Sequence, residues 1–254
     1  MSDLPPSHPR YASLKTREKV VEGVETGITG LNGLIAQGRG EALDYLIGER
    51  TTAPGEDAER AAAAMLLLAE RPVLSVNGNA AALVPEDMVI LAEKIGAPLE
   101  VNIFYRTEDR VKKIADLLRS FGAEKVFGEA PDAVIPGLDH ARAKAARGGI
   151  YDADVVFVPL EDGDRCEALV KMGKRVITVD LNPLSRTART SMVTIVDNVV
   201  RAVPNLISLV EEMADLDDEE LRLNLAAYDN RAALRRSVEE MISHLMGQFS
   251  VLED

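Results

Sequence analysis

The chain has 254 residues, 46% of them hydrophobic and 28% charged, with a formal net charge of −13 and one cysteine. That length can bury a substantial α/β core and disfavours two equal domains. The net charge argues against a nucleic-acid-binding surface, which needs clustered positive charge, and the single cysteine excludes any intrachain disulfide or cysteine-based zinc cluster.

No apolar run approaches the roughly 20 residues of a membrane helix, and the start MSDLPPSHPR lacks the apolar core of a signal peptide, so a cytoplasmic location is expected. Against the acidic background, Arg10, Lys15, Arg17, Lys19 and Arg39 stand out as groups that could receive a small polyanion.

In chain order, residues 14–24 and 40–47 read as helices, with the glycine-rich GLNGLIAQGRGE between or overlapping them. Residues 56–70 are strongly helix-prone and end before Arg71 and Pro72. From residue 72 short β-branched runs alternate with helical stretches: PVLSV (72–76), PLEVN (98–102), EKVFG (124–128), DVVFV (154–158), RVITV (175–179) and MVTIV (192–196). Such alternation predicts a mainly parallel sheet of about six strands covered by helices.

The helix opened by Pro85, Glu86 and Asp87 should close at Gly96. The one after Arg106 carries Val111, Ile114, Ala115, Leu118 and Phe121 at three- to four-residue spacing, with Gly122 as its stop. Residues 211–220 hold seven acids, read as a solvated helix end or turn. The stripe Leu234, Val238, Met241, Ile242 and Leu245 must be buried against the domain or a partner subunit. The expectation is one α/β domain over 1–254, with a helical N-terminal segment (1–70), a core (71–210) and a helical C-terminal segment (211–254).

In open parallel sheets ligands sit beyond the carboxyl ends of the strands. The loop Asn77, Gly78, Asn79 could cradle a phosphate or carboxylate, or be a plain Asn-Gly turn. Arg106, at the turn after the second strand, could clamp an anion, while Arg110 reads better as an exposed ion pair on the helix flank. Glu161, Asp162 and Asp164 could hold Mg²⁺, receive an ammonium group, or complement a helix dipole. In DLNPLSRTA (180–188) Pro183 stops the strand, Asp180 and Asn182 offer groups for ribose or adenine, and Arg186 and Thr187 can meet phosphates. An Asp-Asn-Pro turn capping a helix remains the alternative. Cys166 reads as a packing residue, and His140 more readily as an exposed or capping histidine than as an acid–base group. GxxxxGK[ST], GxGxxG and HExxH are all absent.

The stretches SHPRYASL (7–14), GLIAQGRGEALDYLIGE (33–49), SVNGNAAAL (75–83), VNIFYRTEDR (101–110), IPGLDHAR (135–142), VPLEDGDRCEAL (158–169), DLNPLSRTA and TIVDNVVRAVP (194–204) resemble the archaeal phosphopantothenate synthetases, the 4-phosphopantoate–β-alanine ligases. The resemblance implies a homodimer with a Rossmann-like core that uses ATP and Mg²⁺ and releases AMP and pyrophosphate in coenzyme A biosynthesis. It carries ATP-binding roles to Arg17, Arg39, Asp180, Leu181, Asn182, Arg186, Thr187, Asn198 and Val199. Gln37 is a departure, standing where the resemblance implies His. By loop position, Asn77, Asn79 and Arg106 are expected to bind the 4-phosphopantoate phosphate; no catalytic group and no metal ligand is assigned. The competing readings are a nicotinamide-dependent oxidoreductase, which would need a dinucleotide glycine loop, and a non-catalytic nucleotide-binding module.

Overall fold

The computed structural model describes residues 10–249 together with Pro5, Ser7 and His8. Three helices come first: α1 (Tyr11–Glu25), α2 (Leu31–Ile47) and α3 (Ala53–Leu67). The core then runs β1 (Pro72–Val76), α4 (Gly78–Leu83), α5 (Pro85–Lys94), β2 (Leu99–Val101), α6 (Glu108–Ser120) and β3 (Val126–Phe127). A short hairpin follows, β4 (Ala133–Val134) and β5 (Lys144–Ala145), with a 3-10 turn at Ala141–Ala143 between its strands. The second half runs β6 (Val155–Pro159), α7 (Gly163–Lys171), β7 (Arg175–Asp180), α8 (Arg186–Thr190), β8 (Val193–Val196) and α9 (Val199–Glu212). It closes with α10 (Asp218–Ala226) and α11 (Asn230–Gln248).

All six apolar runs read from the sequence are strands of one parallel sheet, ordered β3-β2-β1-β6-β7-β8. Counted within the sheet this is third, second, first, fourth, fifth, sixth, the Rossmann order, so the chain reverses its direction of travel between β1 and β6. Both faces are covered, which is why the strands are near-continuous apolar runs. Leu74, Val76, Phe157, Ile177 and Ile195 face a large cluster with α3, α5, α6 and α9, while Val73, Val156, Val158 and Val176 face a smaller one with α7 and the hairpin. Buried alanines at 58 and 61–64 let α3 lie close against that larger cluster.

One expectation changes. The glycine-rich GLNGLIAQGRGE is neither a loop nor an interruption but part of α2. Within this chain the C-terminal stripe is only partly covered: Leu234 is buried, whereas Ile242 and Leu245 are 55% and 42% exposed, which leaves the partner-subunit alternative for them. The acidic run does end one helix and start the next, with Asp217 and Glu220 forming a reciprocal capping box at α10. Among the described residues no helix is long and apolar enough to cross a membrane.

Candidate functional site

The reversal between β1 and β6 opens a crevice at the carboxyl edge of the sheet. Asn77, leaving β1, spans it: its side-chain amide donates to the Pro159 carbonyl at 2.7 Å while its oxygen caps α4 by accepting from the Ala80 N–H at 3.0 Å. Across the crevice Leu160 sits at φ 57°, a left-handed conformation unfavourable for a leucine and of the kind that persists where surrounding bonds fix it. Its N–H donates to the Val179 carbonyl at 2.8 Å, which supplies one such restraint.

Helix α2 lies across these strand ends. Its Gly33 carbonyl accepts from the Asn79 amide at 2.9 Å, and the Thr29 hydroxyl donates to the Asn79 oxygen at 2.7 Å. A Cβ at position 33 would lie 2.3 Å from that oxygen, and one at position 40 would lie 3.1 Å from the Asn198 amide nitrogen. The glycines of α2 therefore set how closely the helix rides on the loops after β1 and β8.

Between α2, the β1 loop and residues 103–110 is a cleft of about 460 Å³. Its walls include Arg39, Asn77, Phe104, Arg110, Arg142 and Asp162. Arg106 is not among them: its guanidinium donates to the Gly128 carbonyl at 2.7 Å and pairs with Glu108 at 3.2 Å. Arg110, expected as an exposed ion pair, instead turns inward onto the Tyr105 carbonyl at 2.8 Å and the Ile28 carbonyl at 3.3 Å.

The acids after β6 are already matched. The side chain of Glu161 is fully buried between Arg142, at 2.9 Å, and Arg165; Asp162 pairs with Arg142 at 2.6 Å, and Asp164 with His140 at 3.0 Å. Beneath them Glu100 accepts backbone N–H bonds from Ala146 at 3.1 Å and Ile150 at 2.7 Å. Burial nevertheless pushes its carboxyl up to about 7. Among the described residues no group of three or more His, Cys, Asp or Glu side chains could hold a metal ion.

The β7–α8 loop organises itself around Asp180. Its carboxylate accepts from the Asn182 N–H at 3.0 Å and from the Ser185 hydroxyl, and Ser185 in turn caps α8 by accepting from the Ala188 N–H at 2.9 Å. Burial raises the Asp180 carboxyl above its usual range, opposed first by the Ser185 hydroxyl and also by the field of Arg39. Arg39 makes no hydrogen bond or ion pair among the described residues, so its guanidinium stands open beside Asp180.

Thr187 donates to the Glu161 carbonyl at 3.0 Å, and Arg186, paired with Glu167 at 3.5 Å, crosses so near Gly163 that a Cβ there would meet its Nε at 2.5 Å. The loops after β6 and β7 thus form one surface. Leu181 is buried in a third apolar cluster with Leu43 and Leu234. Asn198 caps α9 and donates to Asp44 at 3.3 Å, Val199 is buried beside it, and Arg17 is bound to Glu41.

Of the residues expected to bind ligands, Arg39, Asp180, Asn182, Arg186 and Thr187 come together at the carboxyl ends of β6 and β7, with Asn77 and Asn79 across the crevice. Asn198 and Arg17 lie toward the other end of α2, and Asn198 lines a separate hollow of about 350 Å³ with Lys15, Lys19 and Gln37. Sequence reasoning did not single out Arg142, and it placed Arg106 rather than Arg110 at the cleft that Arg110 lines. The stretch IPGLDHAR carried a signal for the first, because an arginine beside a short turn needs a carboxylate partner if it is buried.

The phosphopantothenate/pantothenate synthetase family model matches residues 54–244, most of the chain. The chain belongs to that family. Relatives named 4-phosphopantoate–β-alanine ligase are 54% identical in Thermococcus kodakarensis and 55% in Thermococcus onnurineus, each match covering 100% of this chain and 96% of the relative. One from Methanosarcina mazei is 55% identical, covering 96% of both chains. The fold of this chain is the mainly parallel six-stranded sheet that the strand pattern predicts, and the strand order supplies the crevice where α/β folds bind ligands.

Proposed function

We propose that this protein is a ligase joining 4-phosphopantoate to β-alanine, with ATP converted to AMP and pyrophosphate, in coenzyme A biosynthesis. The observation that carries this reading is identity of 54–55% to relatives of that name along essentially the whole chain. ATP lies along the surface formed by the loops after β6, β7 and β8. Asp180, Leu181 and Asn182 meet the nucleoside, Arg39, Arg186 and Thr187 the phosphates, and Asn198, Val199 and Arg17 complete the site from α9 and α1. The acid substrate occupies the neighbouring cleft, where the Asn77–Asn79 loop borders it.

In the first step a carboxylate oxygen of 4-phosphopantoate attacks the α-phosphorus of ATP and pyrophosphate leaves. In the second the free amine of β-alanine attacks the acyl carbon, loses a proton, and AMP departs with the bridging oxygen. No enzyme nucleophile takes part: Cys166 is buried and its thiol is pushed up to about 11 by burial, which leaves it inert. Catalysis comes from alignment and from guanidinium groups facing developing phosphate charge. Glu161 and Asp162 are paired with Arg142 and Arg165, and Asp164 is hydrogen-bonded to His140, so Mg²⁺ would be held mainly by the triphosphate, where it screens phosphate charge.

The chain acts as a single cytoplasmic domain in this reading and pairs as a homodimer, for which the exposed Ile242 and Met246 on α11 offer apolar surface. Incubation with ATP, 4-phosphopantoate and β-alanine, and with each omitted in turn, tests the activity. AMP, pyrophosphate and phosphopantothenate should form together only in the complete mixture. ATP binding without turnover would reduce the protein to a nucleotide-binding module, and ADP with phosphate would require a different activation chemistry.

A further inference from the structure

Arg201, near the start of α9, ties together two carboxylates from distant parts of the chain. Its Nη2 donates to Asp44, near the end of α2, and to Asp197, just after β8, each at 2.5 Å, and its Nε donates to Asp197 at 2.9 Å. The Asp197 side chain is fully buried and that of Asp44 is 14% exposed, so water screens them little and the guanidinium must compensate both charges. Thr51 donates to the remaining Asp197 oxygen at 2.6 Å and fixes that carboxylate from behind.

Asn198 stands inside this arrangement. Its side-chain amide donates to the second oxygen of Asp44 at 3.3 Å, and its backbone N–H donates to Asp197 at 2.6 Å. Both hydrogen bonds that it donates among the described residues therefore end on carboxylates that Arg201 holds. Its side-chain oxygen caps α9 by accepting from the Val200 N–H at 3.5 Å. Glycine at position 40, one turn before Asp44, lets α2 come near enough for the bond to Asp44, since a Cβ there would lie 3.1 Å from the Asn198 amide nitrogen.

Arg201, Asp44 and Asn198 all line the hollow of about 350 Å³. Arg201 is nonetheless a support and not a phosphate clamp: its Nε and Nη2 are occupied by carboxylates, and turning toward a ligand would leave Asp197 buried without its cation. With Arg201 gone, Asp44 and Asp197 would oppose each other as like charges, and Asp44 would draw away from the Asn198 amide. We propose that Arg201 is a positioning residue for the nucleotide, setting the Asn198 side chain through Asp44 and Asp197 while touching no substrate itself. This inference rests on the ligase reading, in which Asn198 meets ATP.

Steady-state kinetics on the intact chain with Arg201→Gln, Arg201→Lys, Asn198→Ala and the Arg201→Gln, Asn198→Ala pair test it. Arg201→Gln should raise the KM for ATP by about tenfold, the scale of one lost charge-assisted hydrogen bond, with kcat and the KM for β-alanine within about twofold. Lysine should recover part of the loss, because an ammonium restores the charge without the planar fork that reaches both carboxylates. In the Asn198→Ala background the arginine change should add less than about twofold, because residues acting as one unit are not additive. Fully additive effects, an unchanged KM for ATP in folded Arg201→Gln, or a fall in kcat at constant KM each overturn the proposal. If Arg201→Gln does not fold, Arg201→Lys with Asn198→Ala completes the same comparison and is judged by the same additivity. An Asn198→Ala variant with unaltered ATP kinetics overturns it too, while leaving the ligase reading in place. A wild-type protein that forms no phosphopantothenate defeats the ligase reading itself and takes this inference with it.

Discussion

The side-chain amide of Asn77 donates to the carbonyl of Pro159 at 2.7 Å, joining the strands on either side of the crevice where the sheet reverses. The same residue caps α4, so one carboxamide fixes both the opening of the crevice and the loop that borders it. Asn77→Asp keeps the cap but turns the bridging donor into an acceptor facing another acceptor, and Asn77→Ala loses both. Each should cost about 1–3 kcal/mol in urea unfolding and lower kcat/KM for both substrates. Unchanged kcat/KM in either folded variant would show that the bridge does not shape the site.

Asp180 holds its loop through Ser185 and Asn182. Asp180→Ala should raise the KM for ATP by about tenfold, the scale of one lost interaction of roughly 1.4 kcal/mol, and leave the far-UV circular dichroism unaltered. Ser185→Ala should move the same constant in the same direction by less. If neither changes it in steady-state kinetics, the stretch is a structural turn and ATP lies elsewhere.

Glycines within α2 should respond in opposite ways. Gly33→Ala drives a methyl group to 2.3 Å from the Asn79 oxygen, whereas a Cβ on Gly38 meets nothing within 4 Å. The first should destabilise by about 1–3 kcal/mol, as overpacking does, and impair turnover by lifting α2 from the crevice. The second should stabilise by about 0.5–1 kcal/mol by removing backbone freedom from the unfolded chain. Paired thermal melts of the two variants check the contrast.

Glu59 carries a pH dependence. It is buried, accepts from Asn205 at 3.1 Å, and burial pushes its carboxyl up to about 8 from an ordinary value of 4.5, with Asp197 adding to the rise. The native state therefore binds this proton more tightly than the unfolded chain does. The stability it contributes is complete below about pH 4.5 and is lost as pH climbs through about 8. Glu59→Gln, which keeps an acceptor for Asn205, should gain Tm over the wild type progressively across that interval and show little difference at its acid end. A Tm difference that is flat with pH would contradict the assignment.

How far the sequence disclosed this molecule depended on the range of the forces involved. The six strands were legible because burial on both faces writes a local apolar run, as in residues 155–158 and 175–179. Strand order was not, because pairing of β1 with β6 joins residues some 80 positions apart and no local pattern records it. Glycine content hid the first half of α2, where Gly33 serves close contact with Asn79 instead of breaking a helix. In the candidate site, the nearness of Arg39 to Asp180 was not legible, because they lie on elements about 140 positions apart. Nor were the roles of Arg106 and Arg110, since they are four residues apart at one helix start and only tertiary packing decides which faces the cleft. Asn77 and Asn79 illustrate a related limit: residues suited to bind a ligand are equally suited to bind backbone, and here their side chains are engaged by Pro159, Ala80, Thr29 and Gly33.

The central claim, that the acid is activated by adenylation in this crevice, is tested most directly by following the oxygen of its carboxylate. With 4-phosphopantoate labelled with ¹⁸O in the carboxyl group, ATP and β-alanine, mass spectrometry of the products should find one labelled oxygen in AMP and none in pyrophosphate. Label in inorganic phosphate, accompanied by ADP, would mean an acyl phosphate and contradict the account.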